Sequence, residues 1–217
     1  MTMNTEWHGS RYWRNRQPKE RVENAHIPRR YVEKTLDNYD EEVGSWGVVK
    51  AIRGWMGNFE ENRLNGEGLY LCGTTGTGKT HLAAGLLSEL LEKHKLGGFF
   101  ITAEKFVEAS YDEIRNDGEL PMEYGDEYLL KYLNAVYDVV VIDGLGSEKK
   151  TEFTKGALVS LFNSRYEQKL ITIVTSEYSI ASLSKIYGPR LSSILQDSTL
   201  QIPFEGKDYR ITQYGTK

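Results

Sequence analysis

One cysteine, Cys72, stands among 217 residues. A single thiol closes no intramolecular disulfide, so disulfide-stapled secreted scaffolds are excluded and a reducing compartment, the cytoplasm, is expected. No apolar run approaches the ~20 residues of a membrane span. The most hydrophobic stretch, Val139-Val140-Val141-Ile142, is strand-sized. Met1 to Trp7 contain no apolar leader core. Histidine and cysteine nowhere fall at zinc-ligand spacing, and no internal repeat or low-complexity tract is evident. A formal net charge of −4 argues against a generic polyanion binder. What is present is 39% hydrophobic residues in a chain long enough to bury a core unaided.

The charge is unevenly spread. Residues 1–34 hold eight Lys and Arg against four Glu, a local charge of +4 set against −8 for the remainder. Near the start, Trp7, His8, Arg11, Tyr12, Trp13, Arg14 and Arg16 interleave rings with cations. That composition fits three states: a solvated tail or short helix, an anchor on a partner protein, or a stacking strip for single-stranded nucleic acid. We place a basic aromatic arm at residues 1–25 and a folded domain at 26–217.

Within the domain, Val48, Ile52, Trp55, Met56 and Phe59 recur at helical spacing over residues 47–62. Leu69 to Cys72 read as a buried strand, with Cys72 as a small core residue. Residues 79–95 read as a helix and Phe99 to Thr102 as a second strand. Helices are predicted at 103–116 and 126–136, flanking an exposed loop that contains Pro121. The acidic stretch from Glu104 to Glu127 reads as a solvated face. Val139 to Ile142 is a third strand, 152–168 a helix and Ile171 to Thr175 a fourth strand. Short helices at 179–186 and 189–196 lead to a last strand at Leu200 to Phe204. Strands that alternate with helices, and that are continuous apolar runs, predict an α/β fold with a parallel sheet covered on both faces.

The segment Gly73-Thr74-Thr75-Gly76-Thr77-Gly78-Lys79-Thr80 satisfies the G-x-x-x-x-G-K-[ST] pattern in full, with a strand before it and an amphipathic helix after it. Its glycines allow successive backbone N–H groups to converge on phosphate oxygens. The helix opening at Lys79 adds its positive end. Lys79 is expected to reach the β- and γ-phosphates, and the Thr80 hydroxyl to ligate Mg²⁺. Tyr137 to Asp143 is a hydrophobic strand ending in a carboxylate, where P-loop NTPases hold the same metal. His81, next to Thr80, reads as a packing residue at the helix start.

Further along, the chain resembles the AAA+ ATPases of the DnaC-type helicase loaders and the related IstB-type transposition helpers. The resemblance spans roughly residues 24–212. It is carried by Ala25 to Tyr31, by Thr35-Leu36-Asp37-Asn38-Tyr39, by Val141 to Glu148 with Thr151-Glu152-Phe153, by Phe162 to Glu167, by Thr175-Ser176, by Tyr187-Gly188-Pro189-Arg190, and by Asp208-Tyr209-Arg210. It implies an AAA+ fold with strand order 5-1-4-3-2, and ATP and Mg²⁺ bound between subunits of a ring or spiral. It also implies work on single-stranded DNA with a replicative helicase as partner. The alternative is a weakly hydrolysing, nucleotide-gated regulator of a helicase or transposase. The arm is shorter than the helicase-binding domain of the loaders.

Three positions depart from the family pattern, and all three bear on hydrolysis. The second carboxylate after Asp143 is replaced by Gly144, the sensor-1 Asn by Glu177, and the arginine four residues beyond Arg190 by Ile194. A trans arginine contributes ~10³- to 10⁵-fold in rate, so slow turnover is expected. Strands 3 and 4 are neighbours in this fold. Glu177 therefore either supplies the missing carboxylate as general base or faces solvent. Glu148 is a third candidate, aimed away by the Gly144-Leu145-Gly146 turn. Arg190 and Arg165 remain as trans arginines, with Arg165 otherwise an exposed helix charge.

Overall fold

The strands pair because their alternate residues feed two separate cores. In the computed structural model, which describes residues 13–42, 44–115, 133, 136–206 and 208–209, five strands form one sheet. They are β1 (Gly68–Gly73), β2 (Gly98–Thr102), β3 (Val139–Leu145), β4 (Ile171–Ser176) and β5 (Thr199–Phe204). Their order is β2-β3-β4-β1-β5, and every pairing is parallel. This is the 5-1-4-3-2 order implied by the resemblance, read from the other edge.

Leu69, Leu71, Phe100, Val139, Val141, Ile171, Ile173 and Ile202 pack on one face. They meet the helix Lys79–Lys93 through Leu82, Leu86, Leu87 and Leu90, and the lead-in helices Val48–Gly57 and Phe59–Asn65 through Ile52, Trp55 and Phe59. Tyr70, Phe99, Ile101, Val140, Ile142 and Val174 point the other way. They meet Phe106 of Ala103–Arg115, Leu158 and Leu161 of Glu152–Glu167, Leu183 of Ile180–Tyr187 and Leu195 of Pro189–Ser198. We number these helices in chain order: α1 (Pro18–Glu23), α2 (Val48–Gly57), α3 (Phe59–Asn65), α4 (Lys79–Lys93), α5 (Ala103–Arg115), α6 (Glu152–Glu167), α7 (Ile180–Tyr187) and α8 (Pro189–Ser198). With both faces covered, β1 to β4 can be apolar throughout their buried length, whereas the edge strand β5 exposes Leu200, Gln201 and Pro203.

The end of the basic arm belongs to this body. Trp13 is 5% exposed. Its indole N–H donates to Val136 O at 3.2 Å, its ring lies 5.7 Å from that of Tyr137, and it packs against Gly97. Arg21 is 4% exposed and donates from Nε to Leu91 O at 2.9 Å, placing a cation at the carbonyl end of α4, where it is favoured. Trp13 is thus anchored rather than offered to a partner, because its ring fills a site beside Gly97. Trp7, His8, Arg11 and Tyr12 lie outside the described residues, as do most of the predicted helix at 126–136 and the acidic stretch beyond residue 115.

Arg165 departs most sharply from expectation. An exposed helix charge was expected at this position, yet it is 0% exposed. It donates to Thr172 Oγ1 at 3.0 Å and to the carbonyls of Ile171 at 2.8 Å, Tyr137 and Asp138 at 3.3 Å each, and Leu133. These carbonyls converge beside α6 at the starts of β3 and β4, so the guanidinium serves as an internal staple and is not available to a neighbouring subunit.

Candidate nucleotide and metal site

The phosphate loop connects the end of β1 to α4. Gly78 caps α4 with φ of +90°, a conformation open to glycine at little cost. A Cβ there would also meet Tyr39 Cε2 at 2.4 Å. Tyr39 braces the loop from below. Its hydroxyl donates to Thr77 O at 2.6 Å and accepts from the Ser45 N–H at 2.7 Å. Burial holds the phenol above its usual pKa. Tyr39 is itself placed by a reciprocal turn, in which Thr35 N–H donates to Asn38 Oδ1 at 2.9 Å and Asn38 N–H donates to Thr35 Oγ1 at 3.1 Å. His81 joins this turn to α4, with Nε2 2.8 Å from Thr35 O, and burial lowers its pKa. Its predicted packing role matches this placement.

Within the loop, Thr77 Oγ1 donates to Thr74 O at 2.8 Å. Lys79 is 8% exposed, and its Nζ donates to Gly73 O at 2.8 Å and Thr74 O at 2.6 Å. Gly73 pairs with Phe204, and Tyr209 N–H donates to Gly76 O at 2.9 Å. The segment after β5 therefore reaches the loop tip.

Asp143 meets the loop from β3. Thr80 Oγ1 donates to Asp143 Oδ1 at 2.8 Å, and Thr175 Oγ1 of β4 donates to the same oxygen at 2.6 Å. Burial pushes the Asp143 carboxyl above its ordinary pKa, opposed by these two hydroxyls and by the Lys79 cation. A half-buried carboxylate beside a hydroxyl is a hard-oxygen donor pair, which fits Mg²⁺ rather than a softer metal.

Glu177 comes to the loop from the other side, where its carboxylate accepts from the Thr75 hydroxyl. Glu148 turns inward. It is 4% exposed and accepts from Gly146 N–H at 3.0 Å and from the Tyr187 hydroxyl. Arg190 bonds from Nε to Asn163 Oδ1 at 3.2 Å on α6, not to the loop. Ile194 is 7% exposed in the core beneath α8. The structure thus brings together Gly73 to Thr80, Asp143 and Glu177, and leaves Arg190 outside the cluster. Reading residues alone gave no role to Tyr39, Thr175 or Tyr209, although each lies in a segment that carried the family resemblance.

Residues 10–212 match the IstB-like ATP binding protein family. The replicative helicase loader DnaC of Escherichia coli (strain K12) is 27% identical over 178 residues, covering 81% of this chain and 69% of the loader. The replicative helicase loader DnaI of Bacillus subtilis (strain 168) is 30% identical over 117 residues, covering 52% of this chain and 34% of that protein. A crystal structure of the DnaC helicase loader superposes with a TM-score of 0.70 at 25% identity, covering 82% of this chain and all of that one. The chain belongs to the IstB-like ATP-binding protein family and is an AAA+ P-loop protein homologous to the replicative helicase loaders.

Proposed function

We propose that this chain is an ATP-switched helicase loader, which binds Mg²⁺-ATP, associates with further copies of itself in a ring or spiral, and delivers a replicative helicase to single-stranded DNA. The observation that carries this reading is the convergence of Thr80 and Asp143, from distant parts of the chain, beside Lys79 at the end of β1. The backbone amides of Gly73 to Thr80 cradle the phosphates, and Lys79 leaves its loop carbonyls to pair with the β- and γ-oxygens. Thr80 and Asp143 hold the metal. When bound, Mg²⁺ neutralises charge on the phosphates. Glu177, set across the loop tip from Thr75, polarises the attacking water in place of the carboxylate that Gly144 lacks. Arg190 reaches the site of an adjacent copy. Turnover is slow because Gly144, Glu177 and Ile194 leave hydrolysis with fewer groups.

The loader reading is preferred to a transposition helper because both relatives above are named as loaders. No helix among the described residues is long and apolar enough to cross a membrane. The test is titration with a fluorescent ATP analogue in Mg²⁺, followed by assembly of the host's replicative helicase on single-stranded DNA. Wild type binds the nucleotide and raises helicase occupancy, and Lys79→Ala loses both. Nucleotide affinity unchanged by Lys79→Ala, or helicase occupancy indifferent to the protein, overturns the reading. A salt titration of DNA binding separates phosphate contacts, which weaken steeply with salt, from protein docking.

A further inference from the structure

β3 and β4 pair in register from Val139↔Ile171 to Ile142↔Val174 and resume at Leu145↔Ser176. Between these pairs Asp143 and Gly144 of β3 stand opposite Thr175 alone. This is a bulge, a device that re-aims a side chain at the cost of a ladder hydrogen bond. Gly144 takes the bulge conformation at φ of +75°. Its N–H donates instead to Thr175 Oγ1 at 2.8 Å. A hydroxyl that accepts from an N–H must send its own proton elsewhere, and Thr175 sends it to Asp143 Oδ1 at 2.6 Å. Thr175 is 2% exposed, so no bulk water competes for either bond.

We propose that Thr175 is a positioning residue of the metal site, joining the displaced Gly144 amide to Asp143 so that the carboxylate stays turned toward Thr80. The inference rests on the reading that Asp143 and Thr80 hold Mg²⁺. The two threonines divide the work. Thr80 donates a hydrogen bond to Asp143 and keeps both lone pairs for a cation. Thr175 donates to the same oxygen and spends one of its two lone pairs on the Gly144 N–H, so its hydroxyl is tied between the bulge amide and the carboxylate and serves to orient Asp143. Groups that orient metal ligands in this way are worth ~10- to 100-fold in metal affinity.

The test uses the full chain and a fluorescent ATP analogue, titrated in EDTA and then with increasing Mg²⁺. Thr175→Val keeps the side-chain volume and removes the hydroxyl. It is expected to require ~10-fold or more Mg²⁺ for half-saturation, with affinity in EDTA within about twofold of wild type. Thr175→Ser restores the wild-type Mg²⁺ requirement. Thr175→Cys, whose thiol is a weak donor, falls between them and serves if the valine variant does not fold. Wild-type Mg²⁺ dependence in Thr175→Val, or equal losses in EDTA and in Mg²⁺, overturns the positioning role. Asp143→Asn, run in parallel, separates the two levels. If it too responds normally to Mg²⁺, the metal reading itself falls. If it loses the response while Thr175→Val keeps it, only the positioning role falls.

Discussion

The Thr80 hydroxyl donates to the Asp143 carboxylate at 2.8 Å across 63 residues of sequence. That contact joins the phosphate loop to β3, and it buries a charge. Because burial raises the Asp143 pKa, the folded protein binds this proton more tightly than the unfolded chain does. The ionised carboxylate therefore costs stability at neutral pH, and the cost disappears below about pH 4, where both states are protonated. Asp143→Asn keeps an oxygen to accept both hydroxyls and removes the charge. Its Tm should exceed that of wild type by about 2 °C or more at pH 7, with the gain shrinking as pH falls through the raised pKa. Addition of Mg²⁺-ATP should reverse the ranking if Asp143 holds the metal as proposed, since only the wild type then keeps that carboxylate. Thermal melts from pH 7 to pH 4, with and without Mg²⁺-ATP, check both.

Arg165 should be a stability residue and not a catalytic one. Arg165→Ala leaves the carbonyls of Leu133, Tyr137, Asp138 and Ile171 without their shared donor. Losing a buried charged hub of this kind costs about 3–5 kcal/mol, or very roughly 6–20 °C in Tm for a chain of this size. Arg165→Lys recovers only part of the loss, because an ammonium has three donors on one atom and cannot span the fork. Circular dichroism melts give the answer. If Arg165 acted in trans, both variants would melt like wild type and lose ATPase activity.

The backbone at Gly144 explains why a carboxylate cannot simply be placed after Asp143. At φ of +75° a non-glycine residue pays about 1–2 kcal/mol. A Cβ at this position would meet Ser147 Oγ at 3.2 Å and Ser147 Cβ at 3.9 Å, so a small shift of the serine side chain makes room. Gly144→Glu should lower Tm by about 2–8 °C and leave the ATPase rate close to wild type, because the added carboxylate projects from a bulge already shaped around Thr175. A several-fold gain in steady-state rate with unchanged Tm would contradict this.

The sheet was legible in the sequence because the strands β1 to β4 are largely apolar runs bounded by glycine or by a helix signal, and the phosphate loop because its chemistry is local. The burial of Arg165 and of Trp13 escapes the sequence for one reason. Whether a cation or an indole is buried depends on carbonyls and open space contributed by distant residues, here Leu133, Val136, Tyr137, Asp138 and Gly97, and helical spacing carries no trace of them. Tyr39 and Thr175 were hidden differently. A tyrosine hydroxyl that braces Thr77 and a threonine that faces a bulge are properties of register and three-dimensional approach. Each sat inside a segment noted for its resemblance, but only the fold gave it a partner.

Glu177 brings a further carboxylate to the loop, and its hydrogen bond from Thr75 allows its two possible roles to be separated. As a general base it needs its negative charge, whereas as a brace for the loop it needs only an acceptor oxygen. Glu177→Gln keeps the oxygen and removes the charge. Thr75→Val keeps the charge and removes the donor. If Glu177 polarises water, Glu177→Gln should bind the ATP analogue with wild-type affinity and hydrolyse ATP about 100-fold more slowly, within the range for general-base loss. Thr75→Val should stay within a few-fold of wild type in rate, because its carboxylate is still available. If Glu177 only braces the loop, the ranking inverts: Glu177→Gln hydrolyses normally and Thr75→Val loses nucleotide affinity. Single-turnover hydrolysis at saturating Mg²⁺-ATP, paired with the binding titration, distinguishes the two, because it reads the chemical step apart from the hold on the nucleotide.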